Sequence, residues 1–167
     1  QGKMLSSHQQ FKACIELCQA QGFRQIEAAN RPMLGWTAGY TLELRAALKY
    51  GELAVDLARE LNQRRAELQG LMMSGFAHLR LGNLQSAESY LQLALELSKK
   101  IGASNFRAYT GTILARLVYQ RGNAADSRQA SHNALKWLED SYLPFCGASA
   151  YAIAACCATD AAESARL

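Results

Sequence analysis

A Gly-Asn pair with helical sequence on both sides occurs twice in the chain, and this repeat constrains the fold more than any other feature. The two copies are Gly82-Asn83 and Gly122-Asn123. Glycine, with asparagine as second choice, ends helices in the left-handed backbone conformation. Self-similarity at a fixed period, within a range of about 20 to 50 residues, is typical of stacked repeats rather than of a single globular core. The sequence therefore predicts an array of helical units.

Other small residues coincide when the chain is aligned with itself at the interval that separates the two Gly-Asn pairs. Where two helices approach closely, Gly or Ala removes the side chain that would hold them apart, and larger residues fill the flanking gaps. The small or apolar columns are Gly35, Gly75 and Ala115; Cys14, Ala54, Ala94 and Ala134; and Leu17, Leu57, Leu97 and Trp137. These columns predict the positions at which neighbouring helices touch.

The spacing of apolar residues within a unit is helical. In residues 66–80 and 84–98 the apolar side chains recur at steps of three and four, which is the pattern of a half-buried helix. Only Leu81, Gly82 and Asn83 separate the two runs. No convincing alternation of β-branched and aromatic residues predicts a strand. The sequence therefore predicts an all-α fold of antiparallel helix pairs joined by tight turns.

The order of small residue, turn, Ala, Leu and Ala resembles the tetratricopeptide repeat (TPR). The second unit carries this order at Gly75, Gly82-Asn83, Ala87, Leu91 and Ala94. The resemblance implies a right-handed TPR-like superhelix, with the first helix of each pair on its concave face.

The other two units depart from the TPR pattern. The third has Ser127 and Ser131 at two positions that are usually small or apolar. The first replaces the Gly-Asn turn with Leu42-Glu43. It also carries Gly51 inside its second helix, at a cost of about 1 kcal/mol relative to Ala.

The repeat register divides the single solenoid predicted over residues 1–167 into five segments. Residues 9–22 are predicted to be the second helix of a preceding repeat, and residues 144–160 the first helix of a following one. Solenoids normally finish with polar capping repeats, and neither end of this chain does. We therefore expect the apolar ends to pack on a second copy, giving a homodimer, or to meet further repeats. The complete repeats are predicted at 23–63, 64–104 and 105–143.

The units, at about 40 residues, are longer than the ordinary TPR of about 34 residues. Such long units resemble the C-terminal solenoids of maltose-regulator-type activators and of bacterial class III adenylate or guanylate cyclases with an ATPase module. The phrases that resemble the cyclase-associated type are CIELCQAQGFRQIEAANRPMLGW (14–36), RRAELQGL (64–71) and PFCGASAYAIAACCATD (144–160).

This second resemblance implies a cytoplasmic regulatory region of a larger bacterial signalling protein. The implied partner is a protein, a peptide or another domain of the parent chain. The maltose-regulator comparison implies, as the alternative, a domain that senses a small-molecule inducer.

The TPR resemblance assigns nine residues to the concave, protein-binding groove. Aromatic residues, Met and Arg are enriched at protein interfaces, where they carry much of the binding energy. Met72 and Phe76 also belong to the apolar stripe of their helix, so packing between repeats is the competing expectation for these two. The nine residues are Trp36, Tyr40, Met72, Phe76, Arg80, Tyr109, Arg116, Tyr119 and Gln120.

The sequence contains none of the catalytic or cofactor motifs that we sought. It lacks the P-loop, the Gly-rich dinucleotide fingerprint, the H-E-x-x-H zinc motif and the G-x-S-x-G nucleophile elbow. Cys14 and Cys18 have the spacing of a metal pair, but Cys14 falls in a small-residue column, where Cys acts as a small hydrophobe. His78 falls on the inward face of its helix. We therefore predict no catalytic residues, no cofactor and no metal in this chain.

Composition limits the remaining classes. Five cysteines, an odd number without an export signal, indicate free thiols in a reducing compartment. No apolar run reaches the roughly 18 residues that a membrane span needs. The net charge is +4, and many basic residues stand at helix ends, where the helix dipole favours them. Nucleic-acid binding is therefore not predicted; it would need five arginines to align along one face, namely Arg24, Arg64, Arg65, Arg107 and Arg116.

Overall fold

The computed structural model describes residues 2–139 and 151–157, and within these ranges it contains helices and short turns but no strand. The all-α prediction is confirmed for this part of the chain. Residues 151–156 form a further short helical segment. The seven longer helices are α1 (Gly2–Gln21), α2 (Arg24–Tyr40), α3 (Leu44–Glu60), α4 (Arg64–Arg80), α5 (Leu84–Lys100), α6 (Ser104–Gln120) and α7 (Ala124–Glu139).

The described residues belong to two compact units. The first ends at Leu93 and the second begins at Ala94, so the boundary falls inside α5. In the first unit α1 packs on α2, α2 on α3 and α3 on α4, while in the second unit α6 packs on α7. Each of these consecutive pairs is antiparallel because only a short turn separates one helix from the next.

A left-handed residue stands in every turn between consecutive helices from α1 to α7. Successive helices from α2 to α7 begin at one constant spacing, which is half of the interval between the two Gly-Asn pairs. The turn residue therefore recurs at the same spacing. These residues, with their φ angles, are Gly22 (71°), Leu42 (68°), Asn62 (56°), Gly82 (82°), Gly102 (67°) and Gly122 (81°).

Two backbone hydrogen bonds close each turn in the Schellman arrangement. At the end of α4 the Asn83 amide donates to the His78 carbonyl at 2.9 Å, and the Gly82 amide donates to the Leu79 carbonyl at 3.2 Å. These bonds satisfy carbonyls that the helix itself leaves without a partner. The reversal of the chain is therefore fixed by the backbone in the same way at each repeat.

Leu42 adopts this left-handed conformation although it is not glycine. The Glu43 amide donates to the Ala38 carbonyl at 2.9 Å, and the Leu42 amide to the Gly39 carbonyl at 3.3 Å. The first repeat therefore differs from the others in the sequence of its turn but not in the backbone geometry of that turn. Because the Cβ of an L-residue crowds the carbonyl in this region, Leu42 holds the turn at a cost of roughly 1–2 kcal/mol.

The alanine column lies where helices meet, as the sequence predicts, whereas the prediction is wrong for Leu17, which is 60% exposed on the first described helix. Ala54, Ala94 and Ala134 are completely buried. At Gly75 an added Cβ would stand 2.6 Å from Cγ of Leu91, and at Gly111, which lies outside the predicted columns, it would stand 2.8 Å from the Trp137 ring. These distances are too short for a side chain, so the glycines set how closely the helices of a pair approach.

Gly51 has a packing role that its low helix propensity conceals. A Cβ at this position would stand 2.6 Å from Oγ of Ser74 and 3.1 Å from the Ser74 amide nitrogen. The Ser74 hydroxyl is buried and has no hydrogen-bond partner among the described residues. Gly51 therefore lowers the helix propensity of α3 but allows α3 to pack closely against α4.

The division into repeats at 23–63, 64–104 and 105–143 stays a prediction. The predicted first helix of a following repeat, 144–160, lies mostly outside the described residues. No helix in the described ranges is long and apolar enough to cross a membrane.

Replacing Leu42 with Gly should stabilise the first unit. The substitution removes the Cβ that is crowded at φ 68°, and Leu42 is 65% exposed, so little buried area is lost. We expect Leu42→Gly to raise the free energy of unfolding by about 1 kcal/mol, the strain minus the entropy that Gly adds to the unfolded chain. Urea unfolding followed by circular dichroism measures this change.

Leu42→Ala is the control for this experiment because Ala keeps the Cβ and loses the rest of the side chain. It should leave the strain in place and give no gain in stability. An equal gain from Ala and Gly would contradict the assignment of strain to the left-handed backbone.

Gly51→Ala should destabilise the protein even though Ala favours helix. The new methyl group meets Ser74 at an overpacking cost of about 1–3 kcal/mol. Ser74→Ala alone should be neutral or stabilising, because it removes a buried hydroxyl without a partner. In the double variant the loss should shrink without vanishing, since the Ser74 amide stays 3.1 Å from the added Cβ. Additive effects in this double-mutant cycle would show that the two residues do not meet.

Candidate functional site

A cluster of three aromatic rings and one arginine lies on α2 and α4 of the first unit. Trp36 stands between the other two rings, with its centroid 6.2 Å from that of Tyr40 and 5.5 Å from that of Phe76. The guanidinium carbon of Arg80 lies 5.9 Å from the Phe76 centroid, which is cation–π distance. We call Trp36, Tyr40, Phe76 and Arg80 the aromatic surface.

Helical spacing explains how these side chains come together. Trp36 and Tyr40 are one helical turn apart on α2, and Phe76 and Arg80 are one turn apart on α4, so each pair shares one face of its helix. Trp36 and Phe76 are half-buried, because they also pack on a core that includes Met73. Tyr40 is 55% exposed and Arg80 is also exposed. In the aromatic surface, Trp36 and Phe76 are thus held by packing, and Tyr40 and Arg80 are exposed beside them.

Met72 does not line this surface. It is 1% exposed and belongs to the largest fully buried side chains of the described residues. The competing expectation from its apolar stripe is therefore the correct one, and the assignment of Met72 to the groove is wrong. The same helix turns Phe76 only partly inward, so Phe76 keeps an exposed edge.

The four groove residues predicted in the third repeat lie on α6, in the second compact unit. Arg116 and Gln120 are exposed, Tyr119 is 45% exposed and Tyr109 is half-buried. These four side chains are presented by a single helix, whereas the aromatic surface joins side chains of two packed helices. We therefore place the candidate site on the aromatic surface.

A cleft of about 760 Å³ opens beside Tyr40. None of the side chains assigned to its lining is charged. The Thr41 hydroxyl donates to the Thr37 carbonyl at 3.2 Å and to the Ala38 carbonyl at 3.1 Å, so it is already engaged with its own helix. The cleft therefore extends the aromatic surface as an apolar recess. Its lining residues are Met4, Leu5, Tyr40, Thr41 and Leu42.

Two titratable side chains of the first compact unit, His78 and Cys18, are packed within the fold, and this packing shifts their pKa values. His78 is half-buried and stacks on Tyr90 with 5.3 Å between ring centroids, and burial lowers the pKa of His78. Burial, followed by a hydrogen bond with Cys14, raises the pKa of the Cys18 thiol. A thiol with a raised pKa is a poor nucleophile at neutral pH. Among the described residues, no group of three or more His, Cys, Asp or Glu side chains could hold a metal ion.

Two of the five basic residues considered for nucleic acid are paired with carboxylates. Arg24 donates two hydrogen bonds to Glu60, at 2.7 and 2.6 Å. This ion pair raises the pKa of Arg24 and lowers that of Glu60. Arg64 contacts the buried carboxylate of Glu67 at 3.1 Å. These arginines therefore have partners within the fold.

The sequence analysis missed two buried glutamates at equivalent positions. Glu27 and Glu67 are separated by the repeat interval, and each is 6% exposed. Glu27 accepts hydrogen bonds from Gln19 and Arg31, each with one contact at 2.9 Å. Glu67 accepts from Arg59 at 2.8 Å as well as from Arg64. The same offset that reveals the small columns would have found this pair.

Comparison with known proteins places the fold. No model of a known protein family matches the chain, and no curated protein matches its sequence. Two crystal structures of a kinesin light chain-like protein from Podosopora anserina, described by its nearly identical TPR-like repeats, are similar to it in fold. Their TM-scores are 0.60 and 0.58, with 13% sequence identity in both cases. The match covers 93% of this chain and 84% or 85% of theirs. The chain thus has an all-helical, TPR-like repeat fold.

Proposed function

We propose that this chain is a non-catalytic module that binds a peptide or a protein surface through the aromatic surface of its first unit. One observation carries the proposal: an exposed tyrosine and an exposed arginine border two half-buried aromatic rings. Such a surface offers a large contact area at a low entropic cost, because packing already fixes the rings.

The chemistry of the surface indicates the kind of partner. Arg80 makes no ion pair with any carboxylate in the described part of the chain, and its side chain lies over Phe76. A guanidinium held in this way presents its N–H groups for bidentate contact with a carboxylate. The apolar recess beside Tyr40 would take an aliphatic or aromatic side chain. We therefore propose a partner segment that combines an acidic residue with an apolar one.

A small-molecule inducer is the second candidate ligand. The cleft of about 760 Å³ beside Tyr40 favours it, since ligand pockets have volumes of this order. Such pockets also hold a few convergent polar groups, and the Thr41 hydroxyl in this cleft is engaged with its helix. This candidate has less support than a peptide.

The wider setting is proposed from the sequence phrases at 14–36, 64–71 and 144–160. By that resemblance the module is a cytoplasmic regulatory region of a larger bacterial signalling protein of the cyclase or transcriptional-regulator type. Its partner would then be another protein or another domain of the parent chain. A homodimer formed through uncapped ends belongs to the same proposal.

Selection of peptides from a random phage-displayed library on the wild-type chain tests the proposed site. Selected peptides should combine Asp or Glu with an aromatic or aliphatic residue. Fluorescence anisotropy should then show that Tyr40→Ala and Arg80→Gln each weaken binding about tenfold or more, the usual effect of removing a central interface residue.

Tyr119→Ala is the matched control, because Tyr119 is also a tyrosine near half exposure but lies in the second unit. It should leave the affinity within about twofold, a small effect for a side chain that the peptide does not touch. Peptides that bind the Tyr40 and Arg80 variants as tightly as the wild type would contradict the proposed site. Failure to enrich any peptide would favour the inducer alternative.

A further inference from the structure

The position that holds a buried glutamate in two repeats holds an arginine in the third. Glu27, Glu67 and Arg107 recur at the repeat interval, and each is the fourth residue of its helix. In the first two cases the carboxylate is the centre of a small network of donors from neighbouring side chains. In the third case the residue at this position carries the opposite charge.

The backbone around Arg107 follows that around Glu67. In the turn from α3 to α4 the Asn62 and Gln63 amides donate to the carbonyls of Arg59 and Ala58, at 3.2 and 2.8 Å. In the turn from α5 to α6 the equivalent bonds measure 3.3 and 2.9 Å, and the first of them ends on the Lys99 carbonyl. The repeat register therefore places Lys99 where Arg59 supplies its guanidinium to Glu67.

The guanidinium of Arg107 has a donor that the described fold does not satisfy. Its Nε atom is buried and makes no hydrogen bond with any residue that the structure describes. The guanidinium carbon lies 5.1 Å from the Trp137 ring, so one face of the group is covered by the indole. Stacking leaves in-plane N–H groups able to donate. A buried donor without a partner costs free energy and calls for an explanation.

The repeat register assigns three sources of positive potential to this part of the second unit. Arg107 is in the first part of α6, where the helix dipole is positive, and the first turn of α6 contains no acidic residue. Lys99 is exposed and has no ion-pair partner in the described ranges. In the first unit a glutamate at the equivalent position, Glu27 or Glu67, pairs with a neighbouring arginine and balances its positive charge. Among the described residues, no carboxylate pairs with Arg107 in the way that Glu67 pairs with Arg59.

We propose that Arg107, with Lys99, forms a binding site for a carboxylate of a partner molecule, such as an acidic side chain of a bound peptide. A carboxylate is the favoured ligand because guanidinium and ammonium groups both pair with carboxylates, and arginines of the first unit already hold one at Glu27 and at Glu67. The site lies in the second compact unit and does not depend on the aromatic surface of the first. It would give the module a second contact point for an acidic partner.

The probe for this site is the blocked tripeptide acetyl-Glu-Glu-Glu-amide, with acetyl-Gln-Gln-Gln-amide as the uncharged control and inorganic phosphate as the second anion. Nuclear magnetic resonance on the full chain, at constant ionic strength, follows the Nε–H resonance of Arg107 and the indole N–H of Trp137. The glutamate peptide should shift both resonances in a saturable manner, while the glutamine peptide should not.

Matched variants locate the contact. Lys99→Gln should weaken binding of the glutamate peptide about tenfold, as expected for the loss of one charge-assisted contact. Lys100→Gln removes the same charge from the next residue along the helix and should leave the affinity within about twofold.

Arg107→Glu provides a variant that should fold, because it restores the residue type that the other repeats carry. It should abolish binding without lowering the thermal midpoint, as followed by the Trp137 resonance and by circular dichroism. Saturable shifts caused by phosphate alone, equal shifts from both peptides, or unchanged binding by Arg107→Glu would each overturn the proposal.

Discussion

The described fold depends on a left-handed residue placed at a constant interval after each helix from α1 to α6. At that residue the backbone turns back, and two Schellman hydrogen bonds absorb carbonyls at the end of the helix. Because every turn from α1 to α7 has the same backbone geometry, and those from α2 to α7 also have the same length, consecutive helices are related in the same way. The columns of small residues then fall at equivalent contacts, and the close approaches at Gly51, Gly75 and Gly111 follow from that arrangement.

The sequence predicts the helix pairs because two of the turns use Gly-Asn, whose residue types favour the conformation. The repeat interval places a turn at Leu42-Glu43, but the sequence does not predict the positive φ of Leu42, because a leucine carries no local signal for it. Gly22 and Gly102 carry such a signal, and they show that the interval is one helix plus one turn. The sequence also does not explain Gly51, because its packing role depends on the contact with Ser74, which only the structure shows.

The candidate site was predictable in part for a related reason. Periodicity identifies which helix face a side chain occupies, and this places Tyr40 and Arg80 at the surface. It cannot tell how far a neighbouring helix covers that face, and Met72 is covered completely. Met72 and Phe76 stand one helical turn apart on the same stripe, yet only Phe76 keeps an exposed edge. The difference is a property of packing between helices.

The repeats also differ in how they balance charge. In the first unit the buried carboxylates of Glu27 and Glu67 are satisfied by arginines and a glutamine of the same unit. Arg107 interrupts this arrangement in the second unit, where its guanidinium lies against the Trp137 ring instead of a carboxylate. A repeat fold keeps backbone geometry constant while single residues vary, so a change of charge at one position can create a binding function without altering the scaffold.

The most direct test of this account is the backbone conformation of Leu42 in solution. Positive φ brings the amide proton close to the α proton of the same residue, which gives a strong intraresidue nuclear Overhauser effect. We expect Leu42 and Asn62 to show this strong effect, as residues with φ of 68° and 56° should. A weak effect at Leu42, with the chemical shifts of a continuous helix from α2 into α3, would contradict the claim that the same turn follows each helix from α1 to α6.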